Sequence, residues 1–175
     1  MVEPAPASLV IERLDKNIHN RKDFDCDEPS LNEYLQHTAC QHMEKGYAQV
    51  WVAVSSPESP QIMGYYTLSA GALEPEVMPG RSPIRSIPVI LLGRLAMDSR
   101  YQGQQIGVRL LFHAQRSTLL LSRGVGVHAL VVHALNEKAA DFYRKYDFEE
   151  LTAGSLHLYK TIKDIAALGL VELEP

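Results

Sequence analysis

A short glutamine- and glycine-rich segment is the part of this sequence best suited to binding an anion. Residues 102–107 read QGQQIG and lie between an apolar run that ends at Met97 and a long amphipathic stretch. A helix that begins at such a turn exposes unpaired backbone N–H groups at the positive end of its dipole. Glycine lets an anion approach those amides closely. The segment matches neither GxxxxGK[ST] nor GxGxxG, so it predicts a phosphate cradle without a Walker lysine.

Arginines are concentrated in the same part of the chain. The formal net charge is −4, yet residues 81–123 hold seven arginines and one acidic residue, Asp98. The guanidinium fork suits phosphate, and a local patch can bind a polyanion despite a negative total charge. A solvated helix face is an interpretation of about equal weight. Arg94 differs from the others, because an arginine inside an apolar strand must be paired or line a site.

The elements that would position these residues form a mixed α/β order. Period-two and apolar runs predict strands at 9–14, 49–54, 62–68, 89–97, 127–133 and 155–160. Strand 89–97 is apolar enough to be buried on both faces. A first helix is predicted after Asp27 or Glu28, with a Ser30-x-x-Glu33 capping box. Further helices are predicted at 104–123 and 136–146, with a short one in the tail, and a proline-rich loop at 71–88.

Length and composition limit the classes of protein that are possible. A chain of 175 residues with 46% hydrophobic residues predicts one globular domain over 1–175, with a core of about 8–161 and a tail of 162–175. The longest apolar run falls short of the ~20 residues that span a membrane, and the start lacks a secretory signal. The two cysteines and seven histidines show no metal-ligand spacing. We therefore expect a cytoplasmic protein without membrane contact and without a metal.

Two segments resemble motifs of the GNAT superfamily, the GCN5-related N-acetyltransferases. QGQQIG resembles its Q/R-x-x-G-x-G/A acyl-CoA pyrophosphate loop, and HALNEKAADFYRKYDF, residues 133–148, resembles its later Asn-x-x-A-x-x-F/Y-Y motif. The resemblance implies the GNAT acyl-CoA N-acyltransferase fold, a single α/β domain with a mixed sheet, and acetyl-CoA as co-substrate. Gln105 and Asp147 depart from the family, which usually has glycine at both places. If position 105 needs a positive φ, glutamine there costs free energy.

A narrower resemblance covers residues 24–148. The blocks FDCDEPSLNEYL, MGYYTLSAGAL, IPVILLGRLAMD and ALNEKAADFYRKYDF are similar to those of GNAT toxins of bacterial type II toxin–antitoxin modules. Such toxins acetylate the α-amine of an aminoacyl-tRNA and so block translation. The resemblance implies an RNA substrate, a ribbon-helix-helix antitoxin as partner, and a homodimer.

Site residues follow from the residues and the resemblance together. The resemblance places the role of general acid on Tyr143, and a phenol of pKa ~10 is suited to protonating a thiolate. By periodicity alone, Phe142 and Tyr143 are ordinary core aromatics of the helix. Asn136 is a helix cap by sequence and a CoA contact by resemblance. His133 is a possible proton relay, although a buried structural histidine is the favoured interpretation, and water suffices as base. The cofactor-binding candidates are Leu95, Ala96, Met97, Gln102, Gly103, Gln104, Gln105, Ile106, Gly107 and Asn136. The RNA-binding candidates are Arg81, Arg85, Arg94, Arg109 and Arg116, and Arg123 continues the seven-residue spacing of the last two.

Two other functions stay open at this point. A GNAT enzyme of a small amine or a protein N-terminus would need neither the arginines nor an affinity for RNA. A module that binds CoA or a partner with little catalysis remains possible because of Gln105.

Overall fold

A computed structural model describes residues 8–80 and 84–170 of the chain. Within these ranges seven strands form one mixed sheet in the order β1-β2-β3-β4-β5-β7-β6. The strands are β1 Val10–Arg13, β2 Gln49–Val54, β3 Gly64–Leu73, β4 Ile87–Met97, β5 Ala129–His133, β6 Glu149–Glu150 and β7 His157–Thr161. The helices are α1 Pro29–Glu33, α2 Ala39–Glu44, α3 Ile106–Leu121, α4 Glu137–Lys145 and α5 Ile162–Ala166. The predicted α/β class with a mixed sheet is confirmed.

The chain divides into two compact units. The first contains the residues up to Leu68 together with Arg94–His113, and the second contains Ser69–Gly93 and the residues from Ala114 onward. Strands β3 and β4 and helix α3 each contribute residues to both units.

In the first unit, α1 and α2 pack on one face of the sheet. They are joined by a π-helical turn, Tyr34–Thr38. The apolar cluster between helices and sheet is built from alternate residues of β2, as the period-two pattern requires. On the other face, Gly64 lies under α3, where a Cβ atom would come within 2.9 Å of Leu110 Cδ1. Glycine at this position therefore allows α3 to approach β3 closely.

In the second unit, β5 is the most deeply buried strand. It pairs in parallel with β4 from Val89–Ala129 to Leu92–Val132, and it pairs antiparallel with β7. Residues 129–132 of β5 are all buried. Strand β4 is only partly buried, with Pro88 and Gly93 exposed. The prediction that this strand is buried on both faces is wrong, because Ile90, Leu91, Leu95 and Met97 are only half-buried.

Several boundaries differ from those predicted. Strand β3 continues five residues beyond Leu68 to Leu73, and the two-residue strand β6 was missed. The Ser30–Glu33 capping box is wrong. Glu28 occupies the N-cap of α1 without a side-chain cap, and Ser30 Oγ donates to Glu28 Oε1 instead (3.2 Å). Pro29 at the first helical position starts the helix by itself.

Candidate active site

The turn after β4 is held by Asp98. This carboxylate is 1% exposed and accepts from Nε and Nη2 of Arg100, each at 2.9 Å, and from the Asp25 amide at 3.2 Å. Burial opposes ionisation, but these hydrogen bonds keep the pKa of Asp98 below its ordinary value. The turn that leads into segment 102–107 is therefore anchored by an ionised carboxylate.

Segment 102–107 has the backbone shape of an anion cradle. Gly103 has φ +80° and Gln105 has φ +61°. The carbonyl of Gln105 accepts from the Arg109 amide at 3.2 Å, so that α3 begins at Ile106. The next amides belong to the first turn, which has no intrahelical partners for its N–H groups. Alternation of positive and negative φ forms a concavity of amides that suits phosphate. The condition stated for position 105 is met, since glutamine there has a positive φ that glycine adopts freely.

The end of β4 packs directly beneath this cradle. A Cβ atom at Gly107 would come within 2.8 Å of Met97 Sδ, so the start of α3 packs closely on the end of β4. Ala96 is buried, whereas Leu95 and Met97 are half-buried. The strand end and the cradle, both predicted as cofactor-binding, thus lie together in the first unit.

A polar network joins α1 to the turn after β4. Asn32 Nδ2 donates to Asp25 Oδ1 at 2.9 Å, and Asn32 Oδ1 accepts from the Cys26 amide at 2.9 Å. The carbonyl of Asp25 accepts from the Ser99 amide at 2.8 Å, while its amide donates to Asp98. Cys26 is half-buried, packs against the apolar cluster, and has its thiol pKa raised by burial. The FDCDEPSLNEYL and IPVILLGRLAMD blocks are therefore in direct contact.

Arg94 provides a second link between the same blocks. Its Cζ lies 3.5 Å from the ring centroid of Tyr34, which is in the π-helical turn and donates to or accepts from His42 Nδ1 at 3.2 Å. In the described part of the chain no carboxylate pairs with Arg94. Burial raises the pKa of Tyr34, although Arg94 opposes this effect. The sequence did not predict Tyr34 as the partner, because nothing in it signals the π-helical turn that places this ring.

In the second unit, α4 is fixed at its start by Asn136. Its side chain accepts from the Ala139 amide at 2.9 Å, which confirms the predicted helix cap. Asn136 is exposed, and its amide nitrogen is in no hydrogen bond within the described residues. Farther along, Arg144 binds Glu137, Asp141 and Glu150 and ties α4 to β6.

Helix α4 ends in a Schellman motif that holds Tyr143. The Phe148 amide donates to the Tyr143 carbonyl at 3.2 Å and the Asp147 amide donates to the Arg144 carbonyl at 3.1 Å. Asp147 takes the left-handed conformation that this motif requires, with φ +66°. The ring of Phe148 packs edge-on against that of Tyr143, with centroids 5.7 Å apart. Lys160 Nζ donates to the Tyr146 carbonyl at 3.0 Å and satisfies another group at the helix end.

Tyr143 combines a buried ring with an unused hydroxyl. The side chain is 6% exposed, and its hydroxyl has no hydrogen-bond partner among residues 8–80 and 84–170. Burial raises the pKa of Tyr143 above its ordinary value, so the phenol is fully protonated at neutral pH. A protonated phenol with no internal partner is able to give its proton to a bound molecule.

His133 does not match its favoured interpretation. The residue is exposed at the end of β5, opposite His157 on β7, and the two ring centroids are 4.0 Å apart. Desolvation and the neighbouring His157 lower the pKa of His133. The prediction of a buried structural histidine is wrong, because His133 is the last residue of β5 and its side chain is exposed there.

The remaining arginines are surface residues. Arg85 and Arg109 are exposed, Arg116 is half-buried, and Arg109 Nη2 donates to the Leu9 carbonyl at 3.3 Å. Arg123 lies beyond the end of α3 at Leu121 and so leaves the predicted heptad face. Arg81 lies outside the described residues. Across 8–80 and 84–170, no three His, Cys, Asp or Glu side chains gather in a group suited to a metal ion. In the same ranges no helix is long and apolar enough to cross a membrane.

Comparison with protein families and curated proteins gives consistent matches. The protein-family model for the acetyltransferase (GNAT) domain matches residues 46–150, which include parts of both units. A protein of Mycobacterium tuberculosis (strain ATCC 25618 / H37Rv) called "tRNA-acetylating toxin" is 34% identical over 148 residues, 83% of this chain and 87% of that protein. "Probable toxin TacT" of Sinorhizobium fredii (strain NBRC 101917 / NGR234) is 23% identical over 96% of this chain and 99% of its own.

Solved structures of related toxins are similar over nearly the whole chain. A tyrosine-to-phenylalanine mutant of KacT has a TM-score of 0.87 at 33% identity and covers 91% of this chain and 98% of its own. AtaT complexed with acetyl-methionyl-tRNAfMet has a TM-score of 0.84 at 32% identity, with 93% and 99% covered. AtaTR bound with acetyl-CoA has a TM-score of 0.82 at 34% identity, with 92% and 98% covered.

Proposed function

Because this chain belongs to the GNAT acetyltransferase family, we propose that it transfers an acetyl group from acetyl-CoA to the α-amine of an aminoacyl-tRNA and acts as a toxin that blocks translation. One observation carries the choice of substrate. AtaT, whose complex contains acetyl-methionyl-tRNAfMet, matches 93% of this chain at 32% identity and a TM-score of 0.84. The FDCDEPSLNEYL and IPVILLGRLAMD blocks, which carry the resemblance to GNAT toxins in the sequence, are in contact in this molecule.

The cradle at 102–107 is proposed to hold the pyrophosphate of CoA. The pyrophosphate is an anion, and the cradle offers it backbone N–H groups at the start of the 16-residue helix α3. Its positive φ values at Gly103 and Gln105 fit a phosphate better than an ordinary helix start does. The amides proposed to take part are those of Gln102, Gly103, Gln104, Gln105, Ile106 and Gly107.

The end of β4 is proposed to hold the pantetheine arm and the thioester. Backbone groups of Leu95, Ala96 and Met97 can pair with the amides of the arm, and one N–H can polarise the thioester carbonyl. Asn136 uses its Oδ1 for the α4 cap, which leaves its amide nitrogen as the group for a CoA contact.

Tyr143 is proposed to protonate the departing sulfur. Acetyl-CoA supplies the acetyl group as a thioester; the amine nitrogen bonds to the carbonyl carbon, the C–S bond breaks, and the phenol proton passes to sulfur. A thiol has pKa ~8.5 in water, but the desolvation that raises the pKa of Tyr143 also raises that of a buried thiolate. The amine gives up its own proton to water, since an α-amine has pKa ~7.7–8.0 and is partly neutral already.

The arginines are proposed to bind the RNA. Arg94 is the anchor, because its guanidinium lies on Tyr34 with no paired carboxylate in the described part of the chain. Stacking fixes the plane of the fork, so its N–H groups are pre-organised for a phosphate. The other proposed contacts with the RNA backbone are Arg81, Arg85, Arg109 and Arg116.

An antitoxin of the ribbon-helix-helix type and a homodimeric state are also proposed. AtaT has been solved bound to the C-terminus of the antitoxin AtaR, and the AtaT–AtaR complex has been solved with DNA, which fits a DNA-binding antitoxin. Light scattering on the purified chain would give the oligomeric state.

The proposed function is tested with radiolabelled acetyl-CoA. The chain is incubated with total charged tRNA, with the same tRNA after deacylation, and with free amino acids. We expect label in the charged tRNA alone, released by mild base together with the amino acid. Label in free amines but not in charged tRNA would replace the proposal with a small-amine acetyltransferase, and binding of acetyl-CoA without any transfer would replace it with a binding module.

A further inference from the structure

A row of planar side chains crosses three strands of the first unit on the face that α3 covers. Arg13 of β1 lies opposite Trp51 of β2, and Trp51 lies opposite Tyr66 of β3. The Arg13 Cζ is 5.0 Å from the Trp51 ring, and the rings of Trp51 and Tyr66 are stacked with centroids 5.2 Å apart and planes 5° apart. His113 of α3 completes this arginine–tryptophan row, with its Nδ1 2.8 Å from the Tyr66 hydroxyl oxygen.

The row becomes more exposed toward the edge of the sheet. Tyr66 is fully buried, Trp51 is half-buried and Arg13 is exposed. The side-chain Oε1 of Gln49 accepts from Arg13 Nη2, which holds the guanidinium beside the indole. Since β1 is the terminal strand in the sheet order, the row ends in a cation at the edge.

No acidic side chain shares the face of β1–β3 on which Arg13 lies. Strands β2 and β3 and helix α3 contain no aspartate or glutamate. Glu12 follows the alternation of the strand to the opposite face, where it binds His19 Nε2 at 2.9 Å. Arg109 of α3 is exposed and donates to the carbonyl of Leu9, just before β1 begins. The edge of the first unit therefore presents two arginines without a carboxylate on their own face of β1–β3 or on α3.

We propose that the arginine–tryptophan row, together with Arg109, is a contact surface for the RNA substrate. This inference rests on the proposed function and extends its RNA contacts to Arg13 and Trp51. A guanidinium that lies over an indole keeps the N–H groups that Gln49 does not bind for a phosphate, and its outer face for a base. An acidic protein segment would use only the charge of Arg13, whereas RNA uses both the charge and the plane.

The test compares Arg13→Gln with Lys22→Gln, a control that removes one exposed positive charge elsewhere in the first unit. Binding of total charged tRNA is measured from 50 to 300 mM salt, with the melting temperature of each variant as a check on folding. For Arg13→Gln we expect roughly fivefold weaker binding near 0.15 M salt and a salt slope smaller by about one, as for the loss of one phosphate contact. Arg13→Lys should keep the slope but bind more weakly than the parent, because an ammonium does not stack as a guanidinium does.

Two outcomes would overturn the inference. If Arg13→Gln binds charged tRNA as tightly as Lys22→Gln does, the row is only a structural feature of the sheet edge. Alternatively, Arg13→Gln could weaken binding of poly-glutamate and leave tRNA unaffected, which would assign the surface to an acidic protein segment. A failure of the proposed function itself is recognised from the parent chain. In that case the parent chain neither binds nor acetylates charged tRNA, and the comparison of Arg13 variants does not apply.

Discussion

The cradle at 102–107 and the turn at the end of α4 both contain a residue that departs from the family's glycine. Gln105 has φ +61° and Asp147 has φ +66°, so each keeps the left-handed conformation without the residue that adopts it most easily. Both regions therefore keep the left-handed backbone without a glycine.

The two regions differ in what compensates for the missing glycine. At Asp147 the Schellman hydrogen bonds and the contact between Phe148 and Tyr143 hold the turn, and aspartate is among the residues that tolerate this conformation. At Gln105 the side chain is exposed and forms no hydrogen bond among the described residues. The cradle therefore stores more backbone strain than the turn, as residues held at ligand sites often do.

The largest expected effect is on catalysis in the turn region. Tyr143→Phe should lower kcat by at least about 100-fold, because it removes the proposed general acid. It should leave stability nearly unchanged, since the hydroxyl has no partner within the described residues. Steady-state acetylation of charged tRNA and a denaturant titration check the two parts. Tyr47→Phe, at a tyrosine that is 62% exposed, serves as the matched control. Full turnover by Tyr143→Phe would remove this residue from the mechanism.

Packing beneath Tyr143 should affect both stability and rate. Phe148 is buried against Tyr143, so Phe148→Ala should cost about 3 kcal/mol of unfolding free energy. It should also lower kcat roughly tenfold through misplacement of the phenol, with the KM for acetyl-CoA little changed. Phe148→Leu keeps most of the side-chain volume, so it should retain most of the stability and most of kcat. If kcat is unchanged while stability falls, Phe148 supports the core only and does not position Tyr143.

Sequence patterns predicted the elements whose periodicity is long and regular. Strand β2 and the Asn136 cap lie where the pattern placed them, and α3 lies inside the predicted 104–123 but is two residues shorter at each end. Apolar spacing and capping chemistry are local properties. The comparisons confirm the GNAT resemblance. The one-domain boundaries and the roles of individual site residues stay predictions.

Features set by distant contacts could not be predicted in this way. Strand β6 has two residues and exists only because β7 lies beside it. The Arg94–Tyr34 stack depends on a π-helical turn that has no sequence signal. His133 follows four buried residues, so periodicity alone could not show that the strand ends there. Positive φ at Gln105 and Asp147 was foreseeable only through comparison with the family's glycines.

Asp98, which anchors the turn before the cradle, should make the stability of the protein sensitive to acid. The folded pKa of Asp98 lies below its unfolded value of about 3.9, so between the two values the unfolded state binds more protons. Its stabilisation is therefore fully present above about pH 4 and is lost as pH falls through the folded pKa. Asp98→Asn should cost about 2 kcal/mol at pH 7 and make the loss of stability below pH 4 shallower. Denaturant titrations at several pH values check this, and an unchanged acid limb would contradict it.

The smallest expected effect is a change in unfolding free energy that compares the backbone strain at Gln105 with that at Asp147. Gln105→Gly should relieve left-handed strain of about 1–2 kcal/mol, less the entropy that glycine adds to the unfolded chain, for a net gain of roughly 0.5–1 kcal/mol. Asp147→Gly should change stability by only a few tenths of a kcal/mol, because aspartate is less strained there. Denaturant midpoints of the two variants give the comparison.

Gln102→Gly is the matched control for this pair. Gln102 is in the same cradle but has φ −62°, an ordinary conformation for any residue. Glycine there relieves no strain and only increases the entropy of the unfolded state, so Gln102→Gly should lose about 0.5–1 kcal/mol. Opposite signs at positions 102 and 105 would show that strain is localised at Gln105. A loss at both positions would mean that the cradle tolerates glutamine in the left-handed conformation as well as the turn tolerates aspartate.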